Sequence, residues 1–203
     1  MNMLKMPFSR ARDHFQGSLT APIELVQYGD FQCPHCVETS PGIKMLIETL
    51  GSAIRFVYRH YPLPNIHPLA LEAAVAAETA GLQDKFWYMH DMIFENQMYL
   101  LRSSFSTFAR EIELNLETYE NNYKYKRLFH KVINDFESGV KSGVDGTPTF
   151  FINGKKYNGF NDFEGLYKAC KYTFNMQEEK SQYAEYDKNS FTHTGNDYFD
   201  ELP

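Results

Sequence analysis

The chain has 203 residues, enough for one domain with a full hydrophobic core, and 43% hydrophobic with 23% charged residues is a globular composition. Its formal net charge of −6 argues against a nucleic-acid binder, and no apolar run approaches the roughly 20 residues that cross a bilayer. Residues 1–17 lack the continuous apolar stretch of a secretory signal, so we expect a cytoplasmic protein without membrane insertion.

The first recognisable pattern is strand, helix, strand. The apolar runs 22–28 (PIELVQY) and 53–58 (AIRFVY) predict two strands, and apolar residues recur at helical spacing over 37–50. A cysteine pair, Cys33 and Cys36, falls where the first strand leads into the helix. In such a βαβ unit a close cysteine pair indicates redox chemistry.

The middle of the chain is helical, and strands return near its end. Apolar periodicity predicts helices over 67–80, 86–94, 106–114 and 116–140. Two short strands, 149–152 and 155–158, then flank Asn153-Gly154, which is a strong hairpin signal. A last helix follows from Asn161, which with Glu164 resembles a capping box.

Residues 176–203 differ in composition from the rest of the chain. They carry −5 of the formal charge of −6, and Leu202 is their only Leu, Ile or Val. Disorder is typical of such a composition. Several tyrosines and phenylalanines would also allow this acidic tail to dock on the body or on a partner, and both interpretations stay open.

The cysteine pair is placed to form a thiolate. A helix start offers unpaired backbone N–H groups and a dipole that favours negative charge, which lowers the pKa of a cysteine. We expect His35 to contribute a charge or hydrogen bond to the thiolate of Cys33, and Pro34 to fit the first helical turn. A zinc site is the alternative, but the chain has no second Cys-x-x-Cys or paired histidine motif to complete it.

Two segments carry a family resemblance. Residues 29–36 (GDFQCPHC) resemble the active-site segment of DsbA-like proteins of the thioredoxin superfamily, especially the bacterial type that also occurs fused to sodium/proton antiporters. Residues 146–154 (GTPTFFING) resemble that family's cis-proline loop and hairpin. The resemblance covers residues 13–175 and implies an α/β thioredoxin-like fold, with a helical insertion at about 67–143 between the βαβ and ββα halves.

The resemblance also implies roles for individual residues. Cys33 would be the exposed nucleophile and Cys36 the buried resolving thiol of a thiol–disulfide oxidoreductase. Pro148 would be cis and face the pair, and Thr147 would offer backbone groups to an extended substrate segment. The implied partners are protein thiols and disulfides or small thiols such as glutathione, and no metal or organic cofactor is implied.

One position departs from the family pattern. Members often carry a carboxylate six positions before the first cysteine, close to the resolving thiol, whereas this chain has Gln27, which cannot titrate. Glu24, Asp30 or a water would have to handle the proton, or resolution would be slower.

Two other functions fit the same scaffold. One is a glutathione-dependent isomerase or transferase, although such relatives usually have a lone serine or cysteine in place of the pair. The other is a binding or regulatory module, as the antiporter-fused relatives and the acidic tail indicate. We interpret His60, His67 and His90 as packed or backbone-positioning residues rather than as metal ligands. Cys170 is interpreted as a small hydrophobic residue of the core.

Overall fold

A mixed sheet forms the centre of the fold. The computed structural model describes residues 2–124 and 126–191. Its strands are His14–Gly17 (β1), Ile23–Gly29 (β2), Ile54–His60 (β3), Thr149–Ile152 (β4) and Lys155–Lys156 (β5), in the order β1-β3-β2-β4-β5. Strands β2 and β3 are parallel, while β1 pairs with β3 and β4 pairs with β2 in antiparallel fashion.

The helices divide into a crossover, an insertion and a terminal helix. They are Pro34–Leu50 (α1), Ala70–Gly81 (α2), Phe86–Glu95 (α3), Ser104–Glu111 (α4), Leu116–Tyr123 (α5), Lys126–Ser142 (α6) and Phe163–Phe191 (α7). Helix α1 is the crossover that joins the parallel strands β2 and β3, as such a pair requires. Helices α2 to α6 lie between β3 and β4, so the order confirms the predicted α/β fold with a helical insertion.

The sheet is covered on both faces. Because strand side chains alternate, Leu25 and Phe56 point to the face that packs against α1, α3 and α7, while Val26 and Val57 point to the other face. Phe136 of α6 and residues of the N-terminal segment cover that second face. The cysteine pair and Gln27 belong to the first face.

The structure differs from the sequence prediction in several elements, and the second hairpin strand, predicted over 155–158, covers only Lys155–Lys156. The helix predicted over 116–140 is two helices, α5 and α6, and the low helix propensity of Asn121-Asn122 accounts for the break near residue 124. Strand β1 was not predicted because its four residues, HFQG, carry no apolar alternation. Asp162 begins the last helix, since its Oδ1 accepts from the Gly165 amide at 2.8 Å, while the Asn161 side chain donates to the Pro148 carbonyl instead.

The predicted acidic tail overlaps the last helix. Helix α7 continues to Phe191, so residues 176–191 are helical, which residues 177–185 (QEEKSQYAE) explain by their high helix propensity. Residues 192–203 of the tail lie outside the described part of the chain. Over the described ranges, the helices are all too short or too polar to span a bilayer.

Candidate active site

The cysteine pair lies at the start of helix α1. Cys33 is the N-cap residue, with extended backbone angles, and Pro34 takes the first helical position, where its missing N–H costs no hydrogen bond. Cys36 follows in the first turn on the buried side of the helix. Both cysteines are free thiols. Strand β2 and helix α1 together therefore hold two adjacent sulfur atoms at one end of the sheet.

The surroundings of Cys33 favour its thiolate. Hydrogen bonding from the Cys36 thiol lowers the pKa of Cys33 to about 5, against the opposing effect of burial. The Thr147 hydroxyl and the backbone N–H groups of Cys36 and His35 act in the same direction. Donors aimed at the charged form of a group stabilise that form. Cys33 is thus ionised at neutral pH.

Cys36 has the opposite character. It is completely buried, and this burial raises its pKa well above the ordinary value. Its hydrogen bond to Cys33 also raises the pKa of Cys36, because only the protonated thiol can donate this bond. The Asp30 amide donates to its sulfur at 3.5 Å. The pair thus combines one ionised and one protonated sulfur.

The resemblance implies an exposed nucleophile, but Cys33 is almost completely buried. Only 5% of its area is accessible, against none for Cys36. The reason is the Thr147–Pro148 loop, which packs over the pair, with the Cys33 sulfur 3.1 Å from the Thr147 carbonyl oxygen. Cys33 is therefore reached from solvent only through a small opening beside this loop.

Thr147 lies against the pair, and Pro148 is the next residue in the loop. The Thr147–Pro148 peptide bond is cis. Within the described residues, the Thr147 hydroxyl is buried without a hydrogen-bond partner, and its proximity lowers the pKa values of both cysteines. The Thr147 carbonyl accepts a hydrogen bond from Cys33 only when Cys33 is a thiol. When Cys33 is a thiolate, the Thr147 hydroxyl is the group that stabilises it.

The position of the His35 ring differs from the expectation. The ring is exposed, with 73% of its side chain accessible, and its Nδ1 lies 3.1 Å from Glu38 Oε2. A carboxylate one helical turn away attracts the ring along the outer face of α1. His35 acts on Cys33 through its backbone N–H, and the helix start is therefore more important than the imidazole.

Polar side chains fix the loop before Cys33. Asp30 is buried and accepts from the Gln32 amide at 2.7 Å, from the Leu63 amide at 2.8 Å and from His67 Nδ1 at 2.8 Å. The sequence interpretation of His67 as a positioning residue agrees with this contact. Asp30 thereby ties the segment after β3 to the active-site loop.

Sequence reasoning missed Gln97. Its side-chain amide donates to the carbonyl oxygens of Phe31 and Cys33, both at 2.9 Å, and so links the helical insertion to the active-site loop. The next residues, Met98 and Tyr99, are exposed hydrophobics at the same edge. A glutamine between two helices carries no pattern in the sequence, so only the structure reveals this contact.

A second polar cluster lies in the core, behind the active site. His60, Glu78 and Asp135 are buried and close enough to bind a common cation. The Lys131 ammonium already lies 2.6 Å from Asp135 and 3.4 Å from Glu78, and His60 contacts Glu78 at 2.9 Å. The protein thus supplies its own positive charge here, and the cluster joins β3 to the helical insertion.

A groove opens beside the proline loop. It has a volume of about 310 Å³ and is lined by His35, Glu38, Thr39, Pro148, Phe160, Asn161 and Asp162. Phe160 is 83% exposed, an unusual position for a phenylalanine. The groove thus combines an exposed apolar side chain with polar side chains beside Pro148.

Known proteins resemble this chain in sequence. The family model described as Thioredoxin matches residues 9–172. A Na(+)/H(+) antiporter NhaA 1 of Salinispora arenicola is 37% identical over 171 residues, which are 84% of this chain and 26% of the antiporter. An NhaA 1 of Mycolicibacterium gilvum is 34% identical over 83% of this chain and 28% of its own length. The chain spans about a quarter of the length of these curated relatives.

Solved structures share the fold at lower identity. BdbD from Bacillus subtilis superposes with a TM-score of 0.74 at 20% identity, over 86% of this chain and 100% of BdbD. The alpha-DsbA1 protein of Wolbachia pipientis also gives 0.74 at 20% identity, over 87% of this chain and 97% of its own. Both agree with the predicted thioredoxin-like fold of DsbA type.

Proposed function

The chain belongs to the thioredoxin family, and from this we propose that it is a thiol–disulfide oxidoreductase that works through Cys33 and Cys36. The observation that carries the proposal is the difference in pKa and burial between the two cysteines. Cys33 has a pKa lowered to about 5 and retains a small accessible area, whereas the pKa of the buried Cys36 is raised. Thiol–disulfide exchange needs one thiolate to attack first and a second thiol held back.

The proposed reaction has two exchange steps. The Cys33 thiolate attacks a substrate disulfide, forms a mixed disulfide and releases one substrate thiolate. Cys36 then loses its proton and attacks the Cys33 sulfur, which releases the second substrate thiolate. The pair is oxidised to a disulfide while the substrate is reduced to two thiols. The reverse sequence oxidises a dithiol substrate.

The stabilised thiolate biases the direction of exchange. At pH 7, a pKa of about 5 in place of about 8.5 favours the reduced pair by about 2.7 kcal/mol, or about 60 mV. A stabilised reduced form makes the disulfide form a better oxidant. The cytoplasmic location expected from the sequence stays a prediction, and a reducing compartment would keep this pair as thiols and favour a reductase role.

We propose protein segments as the substrates, with small thiols such as glutathione as the alternative. The support for a peptide is the groove of about 310 Å³ beside Pro148, where the exposed Phe160 offers a contact for an apolar side chain. The backbone of Thr147 lies next to Cys33 and would pair with an extended chain, as in strand addition.

Replacing Cys36 tests the proposal. The Cys36→Ser variant keeps a hydroxyl donor near Cys33 but cannot complete the exchange, so mixed disulfides with protein substrates should accumulate. Wild-type protein should reduce insulin with dithiothreitol as the electron donor, and the variant should lose this turnover by at least about 100-fold, because the second step depends on the removed thiol. Cys170→Ser is the matched control, since that thiol is buried elsewhere in the core.

The same experiment separates the rival functions. A glutathione-dependent isomerase or transferase would keep its turnover after Cys36→Ser, since it needs one nucleophile only. A binding or regulatory module would show no turnover in the wild type with either insulin or a reduced dithiol peptide. Either result would sink the oxidoreductase assignment.

A further inference from the structure

A small cavity lies beside the resolving thiol. It lies between α1, α3 and the first face of the sheet, and its volume of about 20 Å³ accommodates one water. Its lining includes Gln27, Cys36, Ser40, Lys44, His90 and Asp91. A cavity of this size with several polar walls is the kind of site that holds an ordered water. The water would lie next to the sulfur whose proton must leave.

The nearby carboxylates are engaged elsewhere. Glu24 precedes Gln27 by three positions on β2, so it points to the opposite face of the sheet, where it pairs with Arg55 at 2.6 Å. Both oxygens of Asp30 accept hydrogen bonds from the loop and from His67. Gln27 itself cannot accept a proton at neutral pH. Neither carboxylate is therefore free to accept the proton of Cys36.

His90 is the group left to accept a proton, because Lys44 and Asp91, the other titratable residues that line the cavity with Cys36, pair with each other at 2.8 Å. It comes from α3 in the helical insertion and is 6% exposed. Its Nδ1 lies 2.9 Å from Asp91 Oδ1, and Asp91 is held by Lys44 at 2.8 Å. Because a carboxylate only accepts, Nδ1 carries the hydrogen and Nε2 keeps its lone pair. The described hydrogen bonds give Nε2 no protein partner.

We propose that His90 accepts the proton of the Cys36 thiol, through one water in this cavity, when Cys36 resolves the mixed disulfide. The proposal rests on the proposed oxidoreductase function. As the Cys36–Cys33 sulfur bond forms, the bond between Cys33 and the substrate breaks, and the substrate leaves as a thiolate. The Cys36 proton passes to the water, and a proton of that water passes to His90 Nε2. The reverse step returns it.

The charges around His90 suit a proton acceptor. Burial lowers the pKa of His90, while Asp91 acts in the opposite direction and His60 and Lys44 oppose the charged form. The Tyr58 ring packs against the imidazole at 4.8 Å and is uncharged, since burial raises the pKa of its hydroxyl well above the ordinary value. His90 is thus neutral before the step, and Asp91 stabilises the imidazolium that forms.

A two-phase reaction with Ellman's disulfide reagent tests the proposal. The reduced protein releases one coloured thiolate when Cys33 attacks and a second when Cys36 resolves the mixed disulfide, so one trace reports both steps. For His90→Gln we expect an unchanged first phase and a second phase slowed about 100-fold at pH 7, as general base catalysis typically contributes at least this much. Asp91→Asn, which frees the ring orientation, should slow the second phase less.

The pH profile and a rescue separate proton transfer from packing. In His90→Gln the second phase should rise steadily between about pH 6 and about pH 9, as hydroxide replaces the missing base, while the wild-type rate levels off. Adding Gln27→Glu to His90→Gln puts a carboxylate into the same cavity and should recover at least about 10-fold of the lost rate. A purely structural role of His90 would show neither effect.

The outcomes distinguish the two proposals. If wild-type protein shows no first phase, the oxidoreductase function fails, and the role of His90 fails with it. If the first phase is normal and His90→Gln resolves at the wild-type rate, only the role of His90 is wrong. Equal slowing of both phases, without rescue by Gln27→Glu, would also contradict it. Asp91→Asn provides the same comparison if His90→Gln does not fold.

Discussion

Two cysteines of this chain lie in the same hydrophobic core and have opposite properties. Cys33 is 5% exposed with a pKa lowered to about 5, and Cys170 is fully buried with a pKa raised to about 12. Burial raises the pKa in both cases. At Cys170 it acts alone, while at Cys33 the hydrogen bond from Cys36 outweighs it.

The position of each residue in its helix adds to this difference. Cys33 caps the start of α1, where backbone N–H groups have no partner within the helix and the dipole favours an anion. Cys170 lies inside α7, where those groups are already bonded along the helix and the neighbours are apolar. Burial alone therefore makes an inert thiol, and burial with aimed donors makes a reactive one.

The largest expected effect of this difference is on alkylation. At pH 7 the thiolate fraction of Cys33 exceeds that of Cys170 by about 10⁵, while the lower nucleophilicity of a low-pKa thiolate offsets about 10³ of this ratio. We expect Cys33 of the reduced protein to react with iodoacetamide at least about 100-fold faster. Site-resolved mass spectrometry after timed quenching measures both rates.

Lowering the pH should increase the ratio between the alkylation rates of Cys33 and Cys170. Between pH 7 and pH 5, Cys33 loses about half of its thiolate whereas Cys170 loses about 99%, so the ratio grows about 50-fold. Denatured protein is the control, because both cysteines should then react alike. Comparable labelling of Cys33 and Cys170 in the folded protein would contradict the comparison, as would a Cys33 rate that rises only above about pH 8.

The next effect is on stability. The pKa of Cys33 is lower in the folded reduced protein than in the unfolded chain, where it is about 8.5, so its thiolate stabilises the fold above that value and this contribution is lost as the pH falls through about 5. The free energy of unfolding of the reduced form, relative to the oxidised form, should rise by about 2 kcal/mol from pH 5 to pH 7. Urea unfolding of both forms at each pH measures it.

The oxidised protein is a matched control for this measurement. It contains every other titratable group, including the carboxylate of Glu78, whose pKa is lowered in the buried cluster by its hydrogen bonds to His14 and His60 against the effect of burial. The difference between the two forms therefore isolates the pair. A difference that stays constant between pH 5 and pH 7 would mean that Cys33 carries no stabilised thiolate.

The fold was accessible from the sequence wherever periodicity or turn chemistry was strong. Strand β4 has the predicted bounds, and the order of elements follows from the strand–helix–strand pattern and Asn153-Gly154. Strand β1 and the extension of α7 could not be predicted from the sequence, for opposite reasons. The pairing of β1 with β3 imposes its structure from outside, whereas α7 continues on helix propensity that composition arguments about disorder ignore.

The site was accessible from the sequence as far as its motifs reached. The Cys-x-x-Cys segment and the Thr147-Pro148 loop are brought together although more than a hundred residues separate them. Side-chain direction was not accessible from the sequence. The expectation that His35 contacts the thiolate was therefore wrong, since its ring faces Glu38. Gln97 and His90 reach the site from the helical insertion, and no local pattern reports contacts of that range.

The smallest effect concerns the side-chain donors beside Cys33, and a pair of variants compares them. Thr147→Val preserves the shape but removes the hydroxyl that acts on the thiolate, so it should raise the pKa of Cys33 by about 1, as for one lost hydrogen bond to a charged group. His35→Ala should change this pKa by less than about 0.3, because the exposed ring contacts Glu38 and the backbone N–H remains. The pH dependence of alkylation measures both values.

This pair of variants decides what makes Cys33 differ from Cys170. If His35→Ala raised the pKa of Cys33 more than Thr147→Val, the imidazole would turn toward the sulfur in solution and would stabilise the anion more than the Thr147 hydroxyl does. The expected order gives the larger effect to the loop that packs over the start of α1. Cys33 would then owe its reactivity to the Cys36 thiol, to this loop and to the helix start, none of which is available at the buried mid-helix position of Cys170.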